Sequence, residues 1–452
     1  MLMRCVLAAQ SASVIALRNS ASCWVGRWLA LRGRGTRHVP GWSGFRLTRS
    51  RRFCAPAILL LVLSLAAWSG GGRAAPTHSP GASAVATSFR SSATPAGLSG
   101  SYVIDLTWVS VTMGWALAAA PCDPGLCPRI ARTDNGGRSW TALPGPPAYL
   151  STSSSGTYCS RQPCVDHLRF ATATIGYLFG PSLLITRNGG VTWTRVTSPP
   201  VESLEPGAGQ GVRVVYNHDG CPGPCQRKVE AAPAGSEDWR VLLTIGQVSS
   251  DAVSSQVVRS GHEAIYVPIY GNLAAGAGTQ QTTIFRSLDA GHSWVRLADP
   301  CGGTAAQVRD AIDLAAAPGG VIAVLCTTRD GGSFSVRTST DDGTTWRPRA
   351  PVPTSEQFLP GRIAAASATD LAISNNVGGG SGSFTYRLML STDGGTHWST
   401  VVSDREQLHP TTPNYGGYLG FQNSLVGRWV GYPHAIWTTT DGGRNWTQRR
   451  FS

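Results

Sequence analysis

Acidic residues are missing from the first 104 positions of this 452-residue chain, where twelve arginines precede the first carboxylate, Asp105. Beyond that point 26 basic and 25 acidic residues nearly cancel, so the net charge of +13 belongs to the N-terminal segment. A near-neutral body gives no nucleic-acid surface. Lysine is almost absent: Lys228 stands alone among 38 basic residues. The main apolar run, Ala55 to Trp68, has 14 residues, short of the roughly 20 that a membrane span needs. It follows the basic stretch Arg46 to Arg52 and reads as the core of an export signal or, extended through Gly72, as a marginal membrane anchor. No Gly-rich phosphate loop and no Ser-His-Asp pattern stands out. The cysteine spacings lack flanking histidines and suit zinc poorly, so neither metal nor cofactor is expected.

Glycine is plentiful, at 54 residues, and so is one eight-residue pattern. It runs Ser or Thr, any residue, Asp or Asn, any residue, Gly, any two residues, Trp. Copies stand at Thr133 to Trp140, Thr186 to Trp193, Ser287 to Trp294, Ser339 to Trp346, Ser391 to Trp398 and Thr439 to Trp446. A worn copy spans Ala232 to Trp239. Successive tryptophans are 53, 46, 55, 52, 52 and 48 residues apart, which makes seven units of similar length. Apolar residues precede each copy and short alternating segments follow it, the mark of a strand, a tight turn and a strand. The Asp or Asn can bond turn N–H groups and the Gly tolerates positive φ. The Trp is expected to lie back over its hairpin. The pattern is therefore structural first: Asn135, Trp140, Asn188, Trp193, Asp289, Trp294, Asp341, Trp346, Asp393, Trp398, Asp441 and Trp446 hold turns.

These copies resemble the Asp-box, or bacterial neuraminidase repeat, of sialidases, xyloglucanases, sortilin-type receptors and the photosystem II assembly/stability factor family. The resemblance covers residues 101–452 and implies an all-β fold, a seven-bladed β-propeller of four-stranded blades with the box joining third and fourth strands. The segment from Leu106 to Trp115, echoed at Phe170 to Tyr177, resembles the blade start of the photosystem assembly factors and their exported relatives. That likeness implies a binding scaffold. The organisation reads as a basic N-terminal region at 1–54, a signal core or anchor at 55–72, an Ala/Ser/Pro/Gly linker at 73–100 and the propeller at 101–452. The propeller lies outside the cytoplasm, secreted or held at the membrane by the N-terminal segment alone, and is expected to be monomeric.

Eight cysteines fall within the repeats as local sets, Cys122/Cys127, Cys159/Cys164, Cys221/Cys225 and Cys301/Cys326. In an exported chain these read as disulfides. Placed on four-stranded blades, all eight fall on one face and the boxes on the other. Long loops at Gly271 to Thr282 and Asn375 to Ser383 map to the cysteine face as well. Either that face binds a protein or glycan partner, or the staples only protect loops from proteolysis. Its candidate contacts are Asp123, Tyr158, Arg161, Tyr270, His409, Tyr415 and Tyr432. The rival function is a secreted sialidase-like exo-glycosidase, which requires three convergent arginines and a Tyr nucleophile with a Glu partner. An Arg-Ile-Pro signature for it has no match in residues 86–115, so no catalytic residue is assigned.

Overall fold

The computed structural model describes residues 98 and 100–451, apart from 123–125, 152–158, 160–161, 208, 218–224, 249–253, 271–281, 303–308, 329–332, 354–357, 360, 380–382, 408–416 and 432–434. These residues form seven antiparallel blades, each with its strands side by side in chain order. The first blade shows the plan: Tyr102–Trp108, Gly114–Pro121, Leu126–Thr133 and Thr141–Ala142. First strands of successive blades lie against one another around the axis: His167–Phe170, Val201–Gly207, Val258–Ser260, Arg309–Ala317, Ile363–Ala365 and Leu419–Phe421. In the fourth and sixth blades the first strand is broken, with Ser254–Ser255 and Phe358–Leu359 as separate pieces. Residues 375–379 are not loop as expected: Leu371–Gly379 pairs with Ser383–Ser391 out to Gly379 opposite Ser383, so the hairpin simply continues.

The apolar core is divided into seven clusters, one between each pair of neighbouring blades. The motif tryptophan of each blade joins the cluster shared with the preceding blade, as Trp193 does beside Trp115 and Phe170. The tryptophan therefore packs between blades as well as over its own turn, and burying so large a side chain there makes the repeat a device for stacking sheets.

The turn itself is a closed circuit of hydrogen bonds. In the fifth blade Ser339 Oγ donates to Asp341 Oδ1 at 2.7 Å and accepts from the Gly343 N–H at 2.8 Å. Asp341 Oδ1 also accepts from the Thr345 N–H, and Oδ2 from Thr345 Oγ. The same bonds recur at Thr133, Thr186, Ser287, Ser391 and Thr439. A polar side chain just before the Trp completes each circuit: Ser139, Thr192, Ser293, Thr345, His397 or Asn445. The residue before the motif Gly donates its N–H to the turn joining first and second strands, as Gly136 does to Thr112 O at 2.8 Å. Both kinds of turn therefore share one face.

The blade starts have a steric logic. A Cβ at Gly114, Gly176 or Gly427 would sit 2.4, 2.7 or 2.6 Å from the ring of Trp108, Phe170 or Phe421, so only glycine lets that ring cross the second strand. The following residue reaches the next blade. Trp115 Nε1 donates to Gly189 O at 2.9 Å, and the Tyr177 hydroxyl accepts from the Gly235 N–H at 2.8 Å. Tyr266 donates its hydroxyl to Asp342 Oδ1 at 2.7 Å. Gly235 belongs to the worn copy, where the neighbouring blade's hydroxyl takes over from the absent Ser or Thr.

Among the described residues no strand is exchanged at the junction of the last and first blades. Arg428 closes it instead, with Nη2 donating to Val111 O at 2.7 Å and the guanidinium 3.8 Å over the Trp108 ring. Phe451 meets Trp140 edge-on at 5.5 Å.

Candidate functional site

The disulfides Cys122–Cys127, Cys159–Cys164 and Cys301–Cys326 are formed. All three lie at the strand ends opposite the motif turns, and Cys301–Cys326 ties the exit of the fourth blade to the second strand of the fifth. The fourth expected pair, Cys221/Cys225, stands apart from these three. Cys225 opens the strand Cys225–Pro233, at the same end of its blade, but Cys221 and the bond between them lie outside the described residues. The candidate contacts Asp123, Tyr158, Arg161, His409, Tyr415 and Tyr432 lie outside them too. Tyr270, expected on the binding face, is buried, and its hydroxyl donates to Gln256 Oε1 at 2.7 Å. Among the described residues no helix is long and apolar enough to cross a membrane, and no group of three His, Cys, Asp or Glu side chains is placed to hold a metal ion.

The side chains that do converge are on the axis. A cavity of about 950 Å³ is lined by the first strands of all seven blades. Counting from each first hairpin, one position per blade falls at the same level: Asp105, His167, Ser203, Gln256, Asp313, Arg362 and Tyr418. The spacing of side chains on alternating strand faces turns this position inward. Register shifts at Val103/Asp105, Val201/Ser203 and Ala311/Asp313 mark bulges that re-aim it in the first, third and fifth blades.

Those three blades use the residue as a clamp. Asp105 Oδ2 accepts from the Leu168 N–H at 3.0 Å, Ser203 Oγ from Val257 at 2.8 Å, and Asp313 Oδ2 from Ile363 at 2.7 Å. Each bond crosses to the next blade and satisfies a backbone donor facing the channel. Arg169 joins three blades, donating to Asp105 Oδ2 at 2.7 Å and to Glu205 Oε2 at 3.0 Å. Burial alone would raise the Asp105 pKa, but Arg169, His167 and the Leu168 N–H outweigh it and hold the carboxyl at about 2. Glu202 forms a two-bond pair with Arg227 and accepts from the Ser255 N–H.

The cavity carries three guanidiniums, Arg169, Arg259 and Arg362, together with Tyr418 and Glu205. They are not arranged as a free anion clamp. Arg169 is committed to two carboxylates, Arg259 donates to the carbonyls of Gln210 and His262, and Arg362 Nη1 stands 3.4 Å from Asp313. Burial pushes the Tyr418 hydroxyl up to about 12, with Arg169 only partly opposing, so it stays protonated. Sequence alone singles out none of these axial residues except as members of strands.

No protein-family model and no curated protein matches the chain. Solved structures do. The chain is 20% identical to YCF48 bound to D1 peptide, over 62% of this chain and 79% of that one, with a TM-score of 0.37. It is 14% identical to YCF48 from Cyanidioschyzon merolae, over 78% and 96%, with a TM-score of 0.44. An ancestral GH74 enzyme is 14% identical over 78% of this chain and 46% of that one, with a TM-score of 0.46. These neighbours include a peptide-bound protein and an enzyme, and a shared architecture does not separate the two roles.

Proposed function

We propose that this chain is an exported, non-catalytic propeller of the Asp-box type, related to the photosystem II assembly/stability factors, which binds a protein or glycan partner. The observation that carries this reading is the axial cavity: large and polar, with most of its charged groups already engaged with one another or with backbone. Such a surface offers directional hydrogen bonds for recognition. The three disulfides favour an oxidising compartment outside the cytoplasm.

The glycosidase reading has one observation in its favour, the presence of three arginines, a Tyr and a Glu in one cavity. A Tyr nucleophile needs its pKa lowered, and here burial moves Tyr418 the other way. The test is incubation of the purified protein with a fluorogenic sialoside, a xyloglucan panel, immobilised glycans and peptide arrays. Saturable binding without turnover is the expected result. Turnover that disappears in Tyr418→Phe would reverse the assignment.

A further inference from the structure

The axial cavity also has a preference of charge, which deepens the binding role proposed above and rests on it. Five carboxylates line it, Asp105, Asp166, Glu202, Glu205 and Asp313, against three guanidiniums. Four of the five are answered within the fold. Asp105 and Glu205 share Arg169, and Glu202 has Arg227. Asp313 accepts from Gln256 Nε2 at 2.6 Å and from the Ile363 N–H.

Asp166 is the exception. Among the described residues the one basic side chain paired near it is His167, with Nε2 at 3.6 Å, beyond hydrogen-bond reach. Oδ1 is sealed from solvent and has no hydrogen-bond partner, while the side chain as a whole keeps 30% of its exposure. Gly180 makes the space: a Cβ there would fall 1.7 Å from Oδ1. Oδ1 is thus closed off against Gly180, and the exposure that the side chain keeps lies on the rest of the carboxylate, with which no Lys or Arg of the described residues pairs.

The opposite wall is of another kind. One step along the strands from the polar ring, blades two and three carry Arg169 and Glu205, whereas the next four carry Val258, Ala315, Ala364 and Gly420. The cavity thus pairs an unanswered carboxylate with a small, apolar flank.

We propose that the axial cavity receives a cationic head on an aliphatic stem, as in a lysine or arginine side chain of a partner polypeptide, with Asp166 as its counter-ion. The stem lies along the small residues, as long basic side chains do on apolar surface, and the head meets the open side of the Asp166 carboxylate. Arg362 is turned to Asp313, and Arg169 is neutralised by Asp105 and Glu205, so neither repels the guest strongly. Burial raises the Asp166 pKa to about 6, with His167 opposing and Asp105 adding to the rise. As pH falls through that value the carboxyl takes a proton and the attraction is lost.

The test is calorimetry with the purified full chain and three probes: a blocked Gly-Lys-Gly peptide, its norleucine counterpart and spermidine. The lysine peptide should bind at least tenfold more tightly than the norleucine one at pH 7.5, and Asp166→Asn should abolish that difference without lowering the melting temperature. Affinity for the lysine peptide should fall at least fivefold from pH 7.5 to pH 5 in the parent and in His167→Gln, but not in Asp166→Asn. Binding of spermidine but of neither peptide supports the same site with a free polyamine as guest. Equal binding of the lysine peptide by parent and Asp166→Asn would overturn the site and leave the scaffold reading standing. Glycan turnover would remove the scaffold reading itself.

Discussion

The motif aspartates and their partner hydroxyls set how this protein meets acid. Hydrogen bonds from Ser293 and Ser287 hold Asp289 well below the usual carboxylate range, and bonds from His397 and Ser391 do the same for Asp393. The Thr345 N–H leads in lowering Asp341 to about 2. A carboxyl depressed in the folded state stabilises it fully above the unfolded value near 4, and that contribution is lost as pH drops towards 2. Asn135 and Asn188 make the same bonds without a titrating group. Changing Asp289, Asp341 and Asp393 together to Asn should therefore flatten the decline in urea midpoint between pH 4 and pH 2.5 relative to the parent. Asp166 acts with the opposite sign, since its raised pKa makes ionisation above pH 6 a cost to the fold. At this scale the sequence was readable where the chemistry is local. The hydroxyl and carboxylate of each turn are visible as a pattern, because a bond between residues two apart needs no distant partner. The polar residue before the Trp was missed because Ser, Thr, His and Asn all serve there.

In blades one, two and seven the first hairpin carries the information that joins the blade to its neighbour. The aromatic ring ending the first strand, the glycine beneath it and the side chain after the glycine form one unit. Gly176→Ala should drive a methyl group into Phe170 and cost about 1–3 kcal/mol, seen as a lower midpoint in urea. Gly176→Ala combined with Phe170→Leu should recover part of that loss, which a simple backbone effect would not. The same unit recurs at Phe421, Gly427 and Arg428, where a guanidinium follows the glycine in place of an aromatic ring. Strand existence was legible from alternation and turn residues. The first strand of the third blade, Val201–Gly207, was not, because Pro206 and two glutamates break its pattern. Its bulge and its contacts with the axis account for those residues.

At the scale of the whole molecule, stability is shared among seven interfaces, and no single blade owns a core. Cys301–Cys326 spans one of those interfaces and joins residues 25 apart in sequence. Replacing both cysteines with Ala should lower the unfolding free energy by about 2–4 kcal/mol, measured by guanidinium denaturation of the parent and the double variant under non-reducing conditions. The number of blades was countable from tryptophan spacing, since each repeat closes on the one before it. The axial ring was not countable in that way: Asp, His, Ser, Gln, Asp, Arg and Tyr share no chemistry, and bulges decide which residue of each strand points inward. Position in the ring, and not residue type, makes them a site.

Because blade one and blade seven each keep all four of their own strands, the join between them is built like the other six, from side chains laid edge to edge. The gene order is then one of seven equivalent ways to write the same circle. Opening the chain in the short segment between Val196 and Val201, and splicing the old ends through a flexible connector, would leave every blade whole and move the break to a different pair of neighbours.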